Sequence, residues 1–429
     1  MEDRLSTVRR HNKIELNFWV MPNAGFSTRG ILDDFIREFE LSRPDVRIKL
    51  EVHPWSLAWS RVMDIVKGRN TRNIPDVMQV GTTWVTTLSY LGALEQVPDH
   101  PFGPREHRMA TSIGDSSPFC IPWFIDIRVL YYRRDIFEAF RIDPILLSDW
   151  KGFSRACAEL KRNLAKSDRF SRIVAPLGIP GQKPGVLMHD LAPWIWQAGG
   201  DFCSDDLRET NLNQAPLLQG CEFYFDLIGE GYMPVPNSAL PQGNFFTGHY
   251  AMQFSGSWPV DTYLNPAWAY ARPDVAANAG VMPLPGGPQG RYTFLGGSNL
   301  GVSSLSRNKE AAWDFIQFML DPSRSLKHAR SIGALPARLS GMDEIFDRIP
   351  EAKEVFFNSF GYARRLPRFI ELGSVEQIIY KMGGRILSAI REGTYTHKRL
   401  HQEINSANNE IRSLLSIHRY GTRIAQVAA

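Results

Sequence analysis

Strands and helices alternate over the first 80 residues, and this order constrains the fold more than any other feature of the sequence. The patterns at 14–20, 46–52 and 76–80 predict three strands. Apolar residues between Ile31 and Phe39 recur at helical spacing, and a second helix is predicted at about 57–66. Because no tight hairpin joins these strands, their order predicts a parallel sheet with crossover helices. Ligands of such sheets bind outside the carboxyl ends of the strands.

The same pattern restarts near residue 129. A strand is predicted at 129–132, with helices at 150–160 and 188–197, and a later strand at 296–303 is predicted to return to the first sheet. Two lobes whose chain crosses between them more than once make a hinged ligand cleft. We therefore predict an α/β fold of two lobes joined by a multi-strand hinge. The N-terminal lobe is predicted at residues 1–125 and 285–330, and the C-terminal lobe at 126–284 and 331–429.

The composition supports more than one globular core. The 429 residues are 43% hydrophobic and 22% charged. A formal charge of +4, from 49 Lys and Arg against 45 Asp and Glu, argues against nucleic acid as a partner. No run approaches the roughly 20 apolar residues that span a bilayer. Four cysteines without a CxxC pair favour buried thiols over a disulfide framework, with a Cys203–Cys221 pair left open.

The first residues, MEDRLSTVRRHNK, contain charges but no apolar segment of the kind found in secretory signals. A signal segment is therefore expected to be absent from this chain. The sequence does not distinguish a signal segment that was removed, one that was left out, and one that was lost through a misplaced start codon.

Local signatures of catalysis are missing. The sequence contains no GxSxG, GxxxxGKS/T, GxGxxG or HExxH motif, so we expect no enzymatic activity, no cofactor and no metal. His397 and His401 are spaced to share one helix face, but the cationic Lys398 and Arg399 between them favour an exposed surface over a metal site. Paired carboxylates for glycoside hydrolysis leave a carbohydrate-active enzyme or a lectin open as an alternative.

Several short segments occur in a characteristic order along most of the chain, at 75–81 with 91–94, 121–126 with 130–135, 245–252 with 255–258, 296–303, 310–313 and 333–338. Together, over about residues 14–415, they resemble the family 1 extracellular solute-binding proteins, the group that contains the maltose-binding protein. We expect three departures from that family: no signal segment, no anchoring cysteine near the start, and a basic tail after Leu414.

The resemblance implies a periplasmic-binding-protein-like fold and the role of substrate-binding component of an ABC importer. Such a protein binds a sugar or related small polar solute by hinge closure, leaves it chemically unchanged, and delivers it to ABC permease transmembrane subunits. The resemblance also implies a periplasmic or other extracytoplasmic location and a monomer. A cytoplasmic sensor built on the same binding fold stays open as an alternative, and the residues do not select one solute.

Tryptophans are the first candidates for ligand contact, because sugars present C–H faces that stack on aromatic rings. The resemblance places Trp258 at the ligand, with an ordinary core tryptophan as the alternative. Trp55 and Trp84 follow predicted strand ends, with packing in the core as the alternative. Trp194 and Trp196 lie on opposite sides of one helical turn, and Trp194 is favoured as the one that faces the ligand.

Polar candidates come from the predicted hinge and from loops at strand ends. Asp126 at the hinge is expected to accept hydrogen bonds from sugar hydroxyls, with a structural salt bridge as the alternative. Arg338 is expected to present its guanidinium to hydroxyls or a carboxylate, with a solvated arginine as the alternative. Turn formation is the alternative for the loop residues, which are Asn23, Thr82, Gly297, Ser298 and Asn299.

The substitution Trp258→Ala tests the aromatic hypothesis. We expect ligand binding to become much weaker while the fold is retained, because a stacking surface is lost without a change in the core. Ligand titration followed by tryptophan fluorescence, with circular dichroism as the folding control, measures both. Undiminished affinity would remove Trp258 from the site.

Overall fold

The computed structural model describes residues 13–22, 28–69, 72–102, 117–178, 185–204, 209–235, 245–257, 272–337, 346 and 350–427. The strands within these residues are β1 Ile14–Val20, β2 Val46–Val52, β3 Val77–Gly81, β4 Ile121–Ile127, β5 Val129–Arg133, β6 Ala175–Gly178, β7 Tyr250–Ser255, β8 Ala279–Met282, β9 Thr293–Val302, β10 Leu335–Pro336 and β11 Ala363–Arg364.

The helices of the first half of the chain are α1 Thr28–Ser42, α2 Trp55–Val66, α3 Val85–Tyr90, α4 Asp99–Phe102, α5 Arg134–Ala139, α6 Trp150–Leu164 and α7 Met188–Gln197. Those of the second half are α8 Ala215–Gly229, α9 Pro273–Ala277, α10 Lys309–Met319, α11 Pro322–Ile332, α12 Pro350–Phe360, α13 Leu372–Arg391 and α14 His397–Val427. Short 3-10 helices occupy Thr82–Trp84 and Pro144–Ser148.

The chain packs as two compact units. The first contains Met1–Phe124, Ser298–Ile332 and Pro336–Gly341, and the second contains Ile125–Gly297, Gly333–Leu335 and Met342–Ala429. The domain boundaries predicted from the sequence stay a prediction.

A seven-stranded sheet has the order β10-β4-β9-β3-β1-β2, with β11 beside β9. Strand β1 pairs in parallel with both β2 and β3, which confirms the parallel arrangement predicted from the first 80 residues. Strand β9 pairs antiparallel with β3, which confirms the predicted return of the chain to the first sheet. The carboxyl ends of β1, β2 and β3 therefore lie at one edge.

The core of the first unit forms where the apolar face of α1 packs against β1 and α10. Phe35 and Phe39 of α1 are buried, as the helical spacing predicted. Phe315 of α10 contacts both Phe18 and Phe39 edge to face, with ring centroids 5.2 Å and 5.1 Å apart. Such edge-to-face pairs stabilise a core beyond the area they bury, which fixes the helices against the sheet.

The second unit is built on a four-stranded sheet in the order β6-β7-β5-β8. Helices α7 and α8 pack closely, because Gly220 has no side chain at the contact: an added Cβ would lie 2.6 Å from the Cα of Ile195. The C-terminal helices α13 and α14 bury one face each in the same core, from Leu372 to Leu415.

All four cysteines are unpaired and buried, as the sequence favoured, and Cys203 and Cys221 do not form a disulfide. Burial raises the pKa of both Cys203 and Cys221 to about 12. Within the described ranges, every helix is too short or too polar to cross a membrane.

His328 of α11 is a titratable group inside the first core. Its ring is fully buried and stacks on Trp123, with centroids 4.1 Å apart and planes 9° apart. Neither ring nitrogen has a hydrogen-bond partner. Burial lowers the pKa of His328 to about 3, so the imidazole stays neutral in the folded protein.

Acid should therefore destabilise the protein through His328. Between its ordinary pKa of about 6.5 and the folded value, the unfolded chain binds a proton that the native state does not, so stability falls as pH decreases. We expect the free energy of unfolding of the parent protein to fall on the order of 2 kcal/mol more than that of His328→Phe between pH 7.5 and 4.5. Urea denaturation across this range measures the difference, and parallel pH curves would contradict it.

Candidate functional site

Three tryptophans meet at the edge of the first unit where β1, β2 and β3 end. Trp55 begins α2, Trp59 lies one turn later on the same helix, and Trp84 ends the 3-10 turn that follows β3. The ring of Trp84 lies 5.8 Å from that of Trp55 and 5.4 Å from that of Trp59, centroid to centroid. All three side chains are half-buried, so part of each ring is accessible. We refer to Trp55, Trp59 and Trp84 as the aromatic cluster.

Local structure holds these rings in place. Trp55 and Trp59 are four residues apart in a helix, so they project from one face. The indole Nε1 of Trp55 donates a hydrogen bond of 2.9 Å to the carbonyl oxygen of Pro22, just after β1. Trp59 and Trp84 pack against the buried cluster that includes Val62. The rings are thereby fixed before any ligand arrives.

The buried side-chain amide of Gln79 in β3 bonds to the residue that follows β1 and to a residue of β9. Its Oε1 accepts a hydrogen bond of 3.0 Å from the backbone N of Met21, and its Nε2 donates one of 2.8 Å to Ser298 Oγ. Ser298 lies opposite Gly81 in the β3–β9 pair. Asn299, opposite Val80, donates from Nδ2 to the Val80 carbonyl oxygen at 3.2 Å. Ser298 and Asn299 thus use their side chains within the sheet, and their roles toward a ligand stay predictions.

A neutral histidine closes the end of β2. His53 Nδ1 lies 2.5 Å from Arg61 Nη1, and because a guanidinium can only donate, this nitrogen accepts and the ring proton sits on Nε2. Burial lowers the pKa of His53, and the nearby charge of Arg61 lowers it further. The ring packs edge-on against Trp19, with centroids 4.3 Å apart. Trp19 and Arg61 thus hold the imidazole at the end of β2, two residues before Trp55.

Asp126 belongs to the second unit and forms an ion pair. Its Oδ2 accepts hydrogen bonds from Arg128 Nε at 3.0 Å and Arg128 Nη2 at 2.8 Å. A salt bridge was the alternative to ligand binding at this position. The other oxygen, Oδ1, is buried and has no hydrogen-bond partner. Asp126 therefore keeps one acceptor unused, and its ligand role stays a prediction.

The structure places Trp194 in the core of the second unit. Its ring contacts Phe223 and Phe254, with centroids 5.2 Å and 5.0 Å apart, and Trp196 is buried as well. The positions of the two tryptophans on opposite sides of one turn do not give them different environments, because α7 is buried on nearly all sides.

Gly297 of the second unit has a φ of 142°, which favours glycine.

Thr82 begins the 3-10 turn of the first unit and is half-buried. Three predicted site residues, Asn23, Trp258 and Arg338, lie outside the described residues. Trp59 and Gln79 were not among the residues predicted from the sequence. The spacing of four residues from Trp55 could have indicated Trp59, and a lone amide within the apolar run of β3 could have indicated Gln79.

His397 and His401 of α14 face carboxylates of α8. His397 Nε2 lies 3.0 Å from both Asp226 oxygens, and His401 Nε2 lies 2.7 Å from Glu222 Oε1. In the part of the chain that the structure describes, no group of three or more His, Cys, Asp or Glu side chains is arranged to hold a metal ion. This cluster is a contact between two helices.

Sequence relatives are binding proteins. The diacetylchitobiose binding protein DasA of Streptomyces coelicolor is 23% identical over 338 residues, covering 75% of this chain and 72% of the relative. An arabinooligosaccharide-binding protein of Halalkalibacterium halodurans is 22% identical over 318 residues, covering 71% of this chain and 66% of the relative.

Solved structures share the fold. The maltose-bound MalE3 of T. maritima superposes with a TM-score of 0.75 at 20% identity, covering 93% of this chain and 100% of that one. The GacH receptor of Streptomyces glaucescens gives a TM-score of 0.74 at 19% identity, covering 94% and 99%. The fold is therefore periplasmic-binding-protein-like, as predicted.

The family profile described as "Bacterial extracellular solute-binding protein" matches residues 27–323, which is more than half of the chain. The match includes the strands and helices that carry the aromatic cluster and the strand that supplies Ser298. The chain therefore belongs to the family of bacterial extracellular solute-binding proteins.

Proposed function

We propose that this solute-binding protein takes a carbohydrate and that the aromatic cluster supplies its stacking surface. The observation that carries the proposal is the convergence of three half-buried indoles at the carboxyl ends of parallel strands, where such sheets bind ligands. Sugar rings expose C–H faces that pack on aromatic planes. DasA and the arabinooligosaccharide-binding protein are named for sugar ligands, which supports the same ligand class here.

The cluster is prearranged, which favours affinity. The Trp55 indole is tied to Pro22, and Trp59 and Trp84 rest on the core, so little side-chain freedom is lost when a sugar stacks on them. Half-buried rings also release water from apolar surface on binding. These features support a site that recognises ring faces.

Hydroxyl recognition requires polar atoms as well. Thr82 begins the turn that follows β3, two residues before Trp84, and its hydroxyl is a group that can both donate and accept. Asp126 of the second unit is a separate candidate. Its Oδ1 is a buried acceptor without a hydrogen-bond partner, and a hydrogen bond from a sugar hydroxyl would satisfy it. The remaining Asp126 oxygen stays bound to Arg128, which holds the carboxylate in its orientation.

We propose that the bound sugar is released chemically unchanged and passes to the permease subunits of an ABC importer outside the cytoplasm. This chain would act as a monomer, with ATP hydrolysis assigned to another subunit. The description of the family as extracellular supports the location, and the name of a Deinococcus radiodurans relative, a probable ABC transporter-binding protein, supports the partner.

A panel of N,N′-diacetylchitobiose, maltose, arabinotriose and ribitol tests ligand binding by thermal shift. A sugar at 100 times its Kd should add about 2.7 kcal/mol to the free energy of unfolding and raise the Tm. Chromatography of the incubated sugars should show them intact. Products in that chromatogram would favour a carbohydrate-active enzyme, and a Tm unmoved by every compound would contradict the carbohydrate assignment.

The variants Trp55→Ala and Trp84→Ala test the aromatic cluster. Each should raise the Kd of the best panel sugar by about tenfold or more, because removing a central aromatic contact costs roughly 1.4 kcal/mol or more. Trp150→Phe is the matched control: Trp150 is also half-buried, but it stacks on Phe223 in the second unit, with centroids 4.0 Å apart. Isothermal titration calorimetry gives the Kd values. Equal affinity for all three variants would remove the aromatic cluster from the site.

A further inference from the structure

We propose that Gln79 is a positioning residue that sets the orientation of Trp55 through a relay of hydrogen bonds from β9 to the aromatic cluster. Its consequence for sugar affinity rests on the proposed function, whereas the orientation of Trp55 does not. Neither the family membership nor the sugar ligands of the relatives assigns a role to this buried amide.

Burial makes the partners of Gln79 obligatory. The side chain lies in the middle of β3 and is 3% exposed, so water cannot replace a lost hydrogen bond. An amide buried without partners is strongly destabilising, and the side-chain amide of Gln79 needs both a donor and an acceptor because it accepts and donates. Here the donor goes to Ser298 Oγ and the acceptor takes the N–H of Met21.

The relay continues through two backbone groups. Holding the N–H of Met21 fixes the chain immediately after β1, and the next residue is Pro22, whose φ is restricted by its ring. The carbonyl oxygen of Pro22 accepts the indole N–H of Trp55 at 2.9 Å. The Gln79 amide and the Trp55 indole are therefore bonded to adjacent residues of the chain, Met21 and Pro22.

The other end of the relay is anchored in a distant strand. Ser298 belongs to β9 and lies 219 residues from Gln79 in sequence. Strand β9 is held against β3 over five paired residues, which include Gly81 opposite Ser298. The amide of Gln79 thus ties the residues that follow β1, and through them Trp55, to the paired strands β3 and β9.

The second unit contains a matched control. Gln197 is fully buried, accepts from the indole Nε1 of Trp150 at 2.6 Å, and donates to the carbonyl oxygen of Tyr292 at 2.7 Å. It is the same residue type, equally buried, and also linked to a tryptophan. Gln197→Met should therefore be at least as damaging to packing as Gln79→Met, while acting on a different indole.

Fluorine NMR of protein labelled with 5-fluorotryptophan tests the relay without any ligand. The Trp55 and Trp150 resonances are assigned by their loss in Trp55→Phe and Trp150→Phe. We expect Gln79→Met to move the Trp55 resonance by more than its linewidth and leave that of Trp150 in place, with the reverse for Gln197→Met. An unmoved Trp55 resonance in folded Gln79→Met would overturn the proposal.

Ser298→Ala provides a milder change in case Gln79→Met does not fold. It removes the acceptor of the Gln79 amide and leaves every other member of the relay in place. The Trp55 resonance should shift in the same selective way, by less. A shift of both tryptophan resonances, or of neither, would count against a positioning role.

A double-mutant cycle then connects orientation to affinity, with N,N′-diacetylchitobiose as the probe. Gln79→Met should raise its Kd by about tenfold in the parent protein and by less than about twofold in the Trp55→Ala background, because the relay acts through Trp55. Equal effects in both backgrounds would contradict the relay. If the parent binds no panel sugar, the proposed function fails, and the fluorine spectra still decide the role of Gln79.

Discussion

Parallel pairing of β1 with its two neighbours is the interaction on which the candidate site depends. Because Phe18 is aligned with Leu50 on one side and with Val77 on the other, the three strands end at the same edge of the sheet. The segments that follow them must then diverge from one place. Trp55 and Trp84 come from two of these segments, and Pro22, which holds the Trp55 indole, comes from the third. A meander of antiparallel strands would send alternate ends to opposite edges and separate these groups.

Sequence reasoning predicted the strands and helices of the first 80 residues because their periodicity is local information. It placed Trp55 in a loop, whereas α2 begins at that residue, directly after Pro54 in an extended conformation. Helix boundaries depend on a few backbone angles that the apolar pattern does not encode. Because the helix begins at Trp55, Trp55 and Trp59 are four residues apart within it and lie on the same face.

Two other features of the structure could not be predicted from local sequence patterns. The partners of Gln79 come from a strand more than two hundred residues later, so no window of sequence indicates that its amide is satisfied. Trp194 and Trp196 were distinguished by helical sidedness, which separates environments only when one face of a helix meets solvent. Helix α7 is enclosed by its own unit, so both rings pack in the core. The relatives illustrate the same limit of local patterns. Their identity to this chain is low although the fold is shared, because a fold tolerates many changes of individual side chains.

The four unpaired cysteines bear on where the chain can fold. Proteins outside the cytoplasm meet oxidising conditions, in which accessible thiols form mixed or scrambled disulfides. Here all four cysteines are buried, and the thiols of Cys203 and Cys221 are held protonated, whereas the reactive species is the thiolate. The native state therefore contains no disulfide among its four cysteines that a reductant could open, and its formation requires no oxidant.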